Sequence, residues 1–126
     1  MSEFARRIRR EITSAEEAST SIIAEIDDEL ERMPSAELWI LRGDAIQLCD
    51  DEEAYDIEEA GASYERALEL EPNNAEAYES LGHYTFSVLD DPAKSVELFR
   101  KAISLGAGAS AKEGLREAEQ ELADLH

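Results

Sequence analysis

The fold is decided by residues 74–105, which read NAEAYESLGHYTFSVLDDPAKSVELFRKAISL. Apolar residues recur three and four positions apart in both halves of this stretch, which is the period of an amphipathic helix. Between the halves, Asp91 is a good helix N-cap and Pro92 suits a first helical position. The stretch therefore predicts helices over residues 75–89 and 92–105, with Asn74 capping the first and Gly106 ending the second.

A looser copy of the same pattern lies upstream, in residues 36–72. In each copy an aromatic residue precedes a glycine by four positions on the first helix, and a small residue, an aromatic and an alanine follow on the second. The positions are Trp39, Gly43, Ala60, Tyr64 and Ala67 in the first copy, and Tyr78, Gly82, Ser95, Phe99 and Ala102 in the second. Small residues let two helices approach closely, and aromatic rings fill the space around them. The pattern therefore predicts two packed helix pairs.

This pattern resembles the tetratricopeptide repeat (TPR), in which an aromatic, Leu-Gly, and later Ala, an aromatic, Ala and Pro recur over about 34 residues. The resemblance implies an all-α fold of about two TPR-like repeats, forming a short right-handed α-solenoid with flanking N- and C-terminal helices. The expected segments are an N-terminal helical segment at 1–34 (half of a degenerate repeat), repeat 1 at 35–72, repeat 2 at 73–107 and a C-terminal capping helix at 108–126. Three features depart from the family pattern. Arg42 replaces its leucine, about five extra residues lengthen repeat 1 near 50–55, and repeat 2 lacks the closing proline.

The segments that flank the repeats are also helical by period. Residues 2–33 form either one long helix or two helices broken near Thr13, because Ser14 and Glu17 make a capping-box pattern there. Ser35 is the expected N-cap of a helix over residues 36–49. Capping-box patterns also predict where the helix at 57–70 and the last helix begin. These pairs are Asp56 with Glu59, and Ser110 with Glu113.

The charge of the chain restricts its partners. Net charge is −19 over 126 residues, and residues 1–10 contribute +3 of it, so the remainder carries −22. Such a surface repels nucleic-acid phosphates and anionic membranes and favours basic partners. A halophilic host, or simply a well-solvated surface, is an alternative reason for the acidity. The basic tract at residues 6–10 is interpreted as an arm attracted to the protein's own acidic body, rather than as a contact with nucleic acid or an acidic membrane.

Motifs for catalysis or metal binding are missing from the sequence. It holds no HExxH, no paired cysteines and no Gly-rich phosphate loop, so no enzymatic activity, metal or cofactor is expected. The acidic run at 50–53 lacks the glycine and alternation of a calcium loop and is interpreted as solvated. Cys49 is the only cysteine and is interpreted as a small core residue. No apolar run is long enough to span a membrane or to serve as a secretory signal, so the cytoplasm is the expected compartment.

The TPR resemblance also implies a binding surface, because the first helix of each repeat in this family lines a concave groove. The matching positions are Glu37, Ile40, Leu41, Asp44 and Gln47 in repeat 1, and Glu76, Glu79, Ser80, His83 and Phe86 in repeat 2. Some family members grip a peptide carboxylate with Lys, Arg and Asn at four of these positions, which here hold Ile40, Asp44, Glu79 and His83. That clamp is therefore absent. An acidic groove with apolar patches predicts a protein partner with Lys or Arg beside apolar anchors, as a helix or an extended segment.

Partner contacts are thus expected from one set of groove residues. The set is Ile40, Asp44, Gln47, Glu76, Glu79, His83 and Phe86. Two alternatives stay open. The N-terminal helix could fill the groove itself, which would make Ile40 and Phe86 core residues. The chain could also be a structural or self-associating repeat protein, such as a homodimer through its terminal helices, with no peptide ligand.

Overall fold

The computed structural model describes residues 2–14 and 17–125, and the fold of this part is entirely helical. Its helices are α1 (Glu3–Ser14), α2 (Thr20–Arg32), α3 (Ala36–Gln47), α4 (Glu58–Leu70), α5 (Ala75–Ser87), α6 (Pro92–Ser104) and α7 (Ala109–Asp124). The predicted all-α class is confirmed, and the predicted ends of the repeat helices agree with these bounds to within two residues. Within the described ranges, no helix is both long and apolar enough to cross a membrane.

Two compact units make up the chain, unit 1 at Met1–Leu70 and unit 2 at Glu71–His126. In unit 1, α3 is the central helix and packs against α1, α2 and α4. In unit 2, α6 packs against α5 and α7, and α5 also contacts α7. The pairs α3–α4 and α5–α6 are the helix pairs that the duplicated pattern predicts, as expected of a TPR-like fold.

Capping side chains determine where the repeat helices begin. Ser35 Oγ accepts a hydrogen bond from the Leu38 amide at 3.1 Å, and Asn74 Oδ1 accepts one from the Ala77 amide at 2.9 Å. Each satisfies an amide that has no partner inside its own helix. These two predicted caps are confirmed. So is the cap of α6, where Asp91 Oδ1 accepts from the backbone amide three residues later and Pro92 opens the helix.

The end of α6 is a Schellman motif. The Gly106 amide donates to the Ile103 carbonyl at 3.0 Å, and the Ala107 amide donates to the Ala102 carbonyl at 3.0 Å. Gly106 has a φ of 105°, in the left-handed region that a residue without Cβ enters at least cost. Gly106 is therefore the helix terminator that the sequence predicts.

The N-terminal segment forms two helices rather than one, but the predicted capping box is wrong. Ser14 is the last residue of α1, and its hydroxyl donates back to the Glu11 carbonyl at 3.4 Å. The second helix is capped by Ser19, whose Oγ accepts from the Ile22 amide at 3.3 Å. Ala18, just before it, pairs with the chain beyond α3, donating to the Leu48 carbonyl at 2.7 Å. This long-range pairing favours a restart after Ala18, and local sequence cannot reveal it.

A glycine faces an aromatic ring inside each helix pair. A Cβ at Gly43 of α3 would lie 2.5 Å from Cε1 of Tyr64 on α4, and a Cβ at Gly82 of α5 would lie 2.8 Å from Cε1 of Phe99 on α6. Both rings are fully buried. Since real Cβ atoms do not approach other atoms so closely, any larger residue would force the helices apart. This packing confirms the equivalent roles that the duplicated pattern assigns to the two glycines.

Candidate partner-binding surfaces

The predicted contact residues of unit 1 lie on α3, with different accessibility. Ile40 is fully buried. Asp44 and Gln47 both bind the hydroxyl of Tyr64, which donates to Asp44 Oδ1 at 2.7 Å and accepts from Gln47 Nε2 at 2.7 Å. The buried ring of Tyr64 thereby holds an acidic and an amide side chain in fixed positions at the edge of the α3–α4 pair. A partner could reach Asp44 and Gln47, whereas Ile40 belongs to the core of unit 1.

Arg42, the departure from the family leucine, links three helices. Its guanidinium donates to Asp27 Oδ1 on α2 at 2.7 Å, and to Ser63 Oγ and Glu59 Oε1 on α4 at 2.9 and 3.1 Å. It also lies 5.9 Å from the centroid of the Trp39 ring. Burial on its own lowers the pKa of Arg42, but the hydrogen bonds and charges of the two carboxylates outweigh it and raise the pKa above its ordinary value. Arg42 is therefore a structural cation. The sequence shows that a charged residue occupies an apolar position of the repeat pattern, which signals a special role. It does not reveal which residues pair with Arg42.

The basic N-terminal tract lies in α1 and contacts acidic residues of its own unit. Arg9 Nη2 lies 3.1 Å from Glu37 Oε1 on α3, and Arg7 Nη2 lies 3.3 Å from Glu25 Oε2 on α2. Ala5, Ile8 and Ile12 form the buried stripe of the same helix. Hydrogen bonds to Glu11 and Glu25 raise the pKa of Arg7. The interpretation of the tract as an arm attracted to the acidic body is the one that the structure bears out.

Two predicted contact residues of unit 2, His83 and Phe86, face the helices packed on α5. The His83 ring meets Phe99 edge-on with centroids 4.8 Å apart, and His83 Nε2 lies 3.1 Å from Ser110 Oγ of α7. Phe86 packs against the core cluster that contains Phe99. The predicted capping role of Ser110 is wrong, because Gly108 is the N-cap of α7 and provides no side-chain hydrogen bond. His83 and Phe86 thus stabilise unit 2.

Gly114 explains how α7 approaches so closely, and sequence reasoning missed it. A Cβ at this position would lie 2.5 Å from Phe99 Cζ and 3.0 Å from His83 Cε1. A glycine inside a predicted helix is the signal that could have revealed this contact, because it costs about 1 kcal/mol relative to alanine without a packing reason. Glu76 and Glu79, the remaining predicted contacts, are half-buried on α5.

The insertion in repeat 1 forms an open cleft of about 420 Å³. Ile46, Cys49, Tyr55 and Ile57 contribute to its walls, and acidic side chains such as Asp51 lie beside them. Cys49 is half-buried rather than a core residue. Residues 50–53 are exposed, as expected for a solvated loop. Among the residues that the structure describes, no three His, Cys, Asp or Glu side chains are placed to hold a metal ion.

Packed helix pairs with glycine–aromatic contacts define this chain as an α-helical repeat protein. Residues 56–85, which contain α4 and most of α5, match the family of the TPR repeat. The match supports a TPR assignment for this part of the chain. Repeats of this family are generally non-enzymatic modules of protein–protein interaction. A search of curated proteins finds no match to this chain.

Proposed function

We propose that this protein is an adaptor or assembly factor that binds a basic segment with apolar anchors on acidic faces of its repeats. The observation that carries the proposal is the Tyr64 anchor, which holds Asp44 and Gln47 in place before any partner arrives. Preorganised polar groups lose less entropy on binding than mobile ones. Glu76 and Glu79 on α5 supply the corresponding acidic positions of unit 2.

Charge selects the class of partner. With a net charge of −22 over residues 11–126, the body repels nucleic acids and anionic membranes. The proposed partner is therefore a protein, and the proposed compartment is the cytoplasm. Lysine and arginine side chains would provide the complementary charge, and apolar side chains would anchor between them. The buried Ile40 and the packed His83 and Phe86 contribute indirectly in this proposal, by holding the helices that present the acidic residues.

The test uses neutral isosteres, since Asp44→Asn and Glu79→Gln remove charge without changing side-chain shape. The wild type, this double variant and a matched control, Glu65→Gln with Glu121→Gln on exposed helix positions, serve as baits for proteins from the native cell lysate. The proposal predicts a partner that is retained by the wild type and the control and lost by the Asp44/Glu79 variant.

Other outcomes count against the proposal. Equal loss from both double variants would mean that overall charge, and no particular face, does the binding. Absence of any partner, together with concentration-dependent sedimentation of the purified chain, would favour the self-associating repeat protein instead.

A further inference from the structure

Helix α1 has the chemistry of the proposed partner. Its buried residues Ala5, Ile8 and Ile12 follow each other by three and four positions, so they form one apolar stripe. Arg7 and Arg9 lie beside the stripe and pair with acidic residues of α2 and α3. It is a basic helix with apolar anchors, and it already lies on the first helix of repeat 1.

The surface beneath α1 overlaps the predicted groove. Glu37, one of the groove positions, is engaged by Arg9. Ile40 lies one helical turn further along the same face of α3 and is fully buried. At Glu37, the face of α3 expected to receive a partner is therefore contacted by a segment of the same chain.

Two of the features that hold α1 in place are individually modest, namely its exposed ion pairs and its buried alanine. Its ion pairs to Glu25 and Glu37 involve side chains that water reaches, so their net contribution is small. One of its three buried residues is an alanine, which offers little apolar area. A helix of 12 residues is marginal in isolation, so α1 depends on this contact to stay helical. A stronger helix of the same chemistry could replace it.

We propose that α1 is an intramolecular occupant of a helix-binding surface on α3. The external ligand would be a basic amphipathic helix that displaces α1. Such a ligand repeats the pattern of α1, in which Ala5 is the first buried position. Ile8 and Ile12 are the apolar residues three and seven positions later, and Arg7 and Arg9 are the arginines two and four positions later. The inference rests on the proposed function and deepens it, since it names the shape of the partner and adds competition from within the chain.

A synthetic, fluorescein-labelled peptide of residues 2–14 is the probe, and fluorescence anisotropy with the full-length chain is the readout. The test variant, Ile8→Asp with Arg9→Glu, weakens docking of the chain's own α1. The control, Leu89→Asp with Arg66→Glu, changes the net charge equally at exposed positions. We expect the peptide to bind the test variant at least about tenfold more tightly than the wild type or the control, because competition from α1 is removed.

The charge contact gives the test its specificity. Adding Glu37→Arg to the test variant should abolish the gain in affinity for the wild-type peptide, because Arg9 of the peptide would then face an arginine. A peptide with Arg9 replaced by Glu should restore tight binding to this triple variant, because the charges are again opposite. Equal peptide affinity for the wild type, control and test variant would overturn the inference. So would a gain that survives Glu37→Arg, because the peptide would then bind elsewhere.

A second measurement on the wild type keeps the inference testable if the variant does not fold. We expect amides of α1 to exchange with solvent at least about 100-fold faster than those of α3, because α1 can leave without unfolding unit 1. Equal protection of α1 and α3 would show that α1 is an integral part of the core. The probe is a segment of this chain, so its failure to bind leaves the co-purification test of the proposed function unaffected.

Discussion

Replacing Arg42 tests whether a buried cation holds unit 1 together. The Arg42 side chain is 14% exposed and donates to Asp27, Glu59 and Ser63, so Arg42→Ala removes three hydrogen bonds at once. Breaking a buried ion pair by removing one member costs about 3–5 kcal/mol. That range is an upper bound here, because the Asp27 and Glu59 side chains are 40% and 43% exposed and water can replace the guanidinium.

The fate of the remaining groups refines the magnitude. Ser63 keeps its hydrogen bond to the Glu59 carbonyl at 2.8 Å, so no buried hydroxyl is left without a partner. We therefore expect Arg42→Ala to lower the free energy of unfolding by about 2–3 kcal/mol. Arg42→Leu, which restores the family residue and its apolar burial, should cost only about 1 kcal/mol. Arg42→Lys should fall between them, because a single ammonium cannot match the planar fork of the guanidinium.

Urea unfolding followed by far-UV circular dichroism and by the fluorescence of Trp39 measures these differences. Arg66→Ala is the matched control. Arg66 lies 6.0 Å from the centroid of the same indole ring and pairs with Glu69, but its side chain is 62% exposed, so we expect a change below about 0.5 kcal/mol. An Arg42→Ala cost as small as that of Arg66→Ala would refute the reasoning. A cost that vanishes at roughly 1 M salt would also refute it, since only exposed pairs are screened so completely.

Two further predictions concern unit 2, and both are measured by urea unfolding followed by far-UV circular dichroism. Gly114→Ala should destabilise it by about 1–3 kcal/mol, because the new Cβ would collide with Phe99. A curve superimposable on that of the wild type would contradict the packing argument. Asp91→Ala should lower the free energy of unfolding by about 1 kcal/mol, because the Lys94 amide loses its cap. Asp91→Asn keeps the accepting oxygen and should cost much less. Equal losses of stability in the two variants would show that the effect comes from charge and not from capping.

Features that depend on neighbours in the chain were predictable without the structure. Helix caps and terminators act within one helical turn, so residue type alone predicts them. This applies to the caps Ser35, Asn74 and Asp91 and to the terminator Gly106. The close contacts at Gly43 and Gly82 were predictable because the pattern occurs twice with the same spacing. The two capping boxes that proved wrong show the limit of local patterns. The actual N-caps, Ser19 and Gly108, accompany long-range contacts of Ala18 and Gly114.

Candidate contact residues were predictable as positions on a helix, but not as accessible positions. The periodicity places Ile40, Asp44 and Gln47 on one face of a helix, and α3 does span these three residues. Whether that face is open depends on which other helix covers it, which a helical period cannot express.

By itself, the sequence determined the helical class, the paired repeats and most helix ends, because each follows from propensity, spacing and capping over a few residues. Tertiary structure alone decided that α1 lies on α3, that α7 closes on Phe99 and that Arg42 joins Asp27 to Glu59. The physical reason is that these contacts join residues distant in the chain, and their free energy depends on burial and complementary charge in the folded protein. The same acidic sequence could have left its basic tract in solvent. Burial of Ala5, Ile8 and Ile12, together with the ion pairs to Glu25 and Glu37, places it on the acidic body.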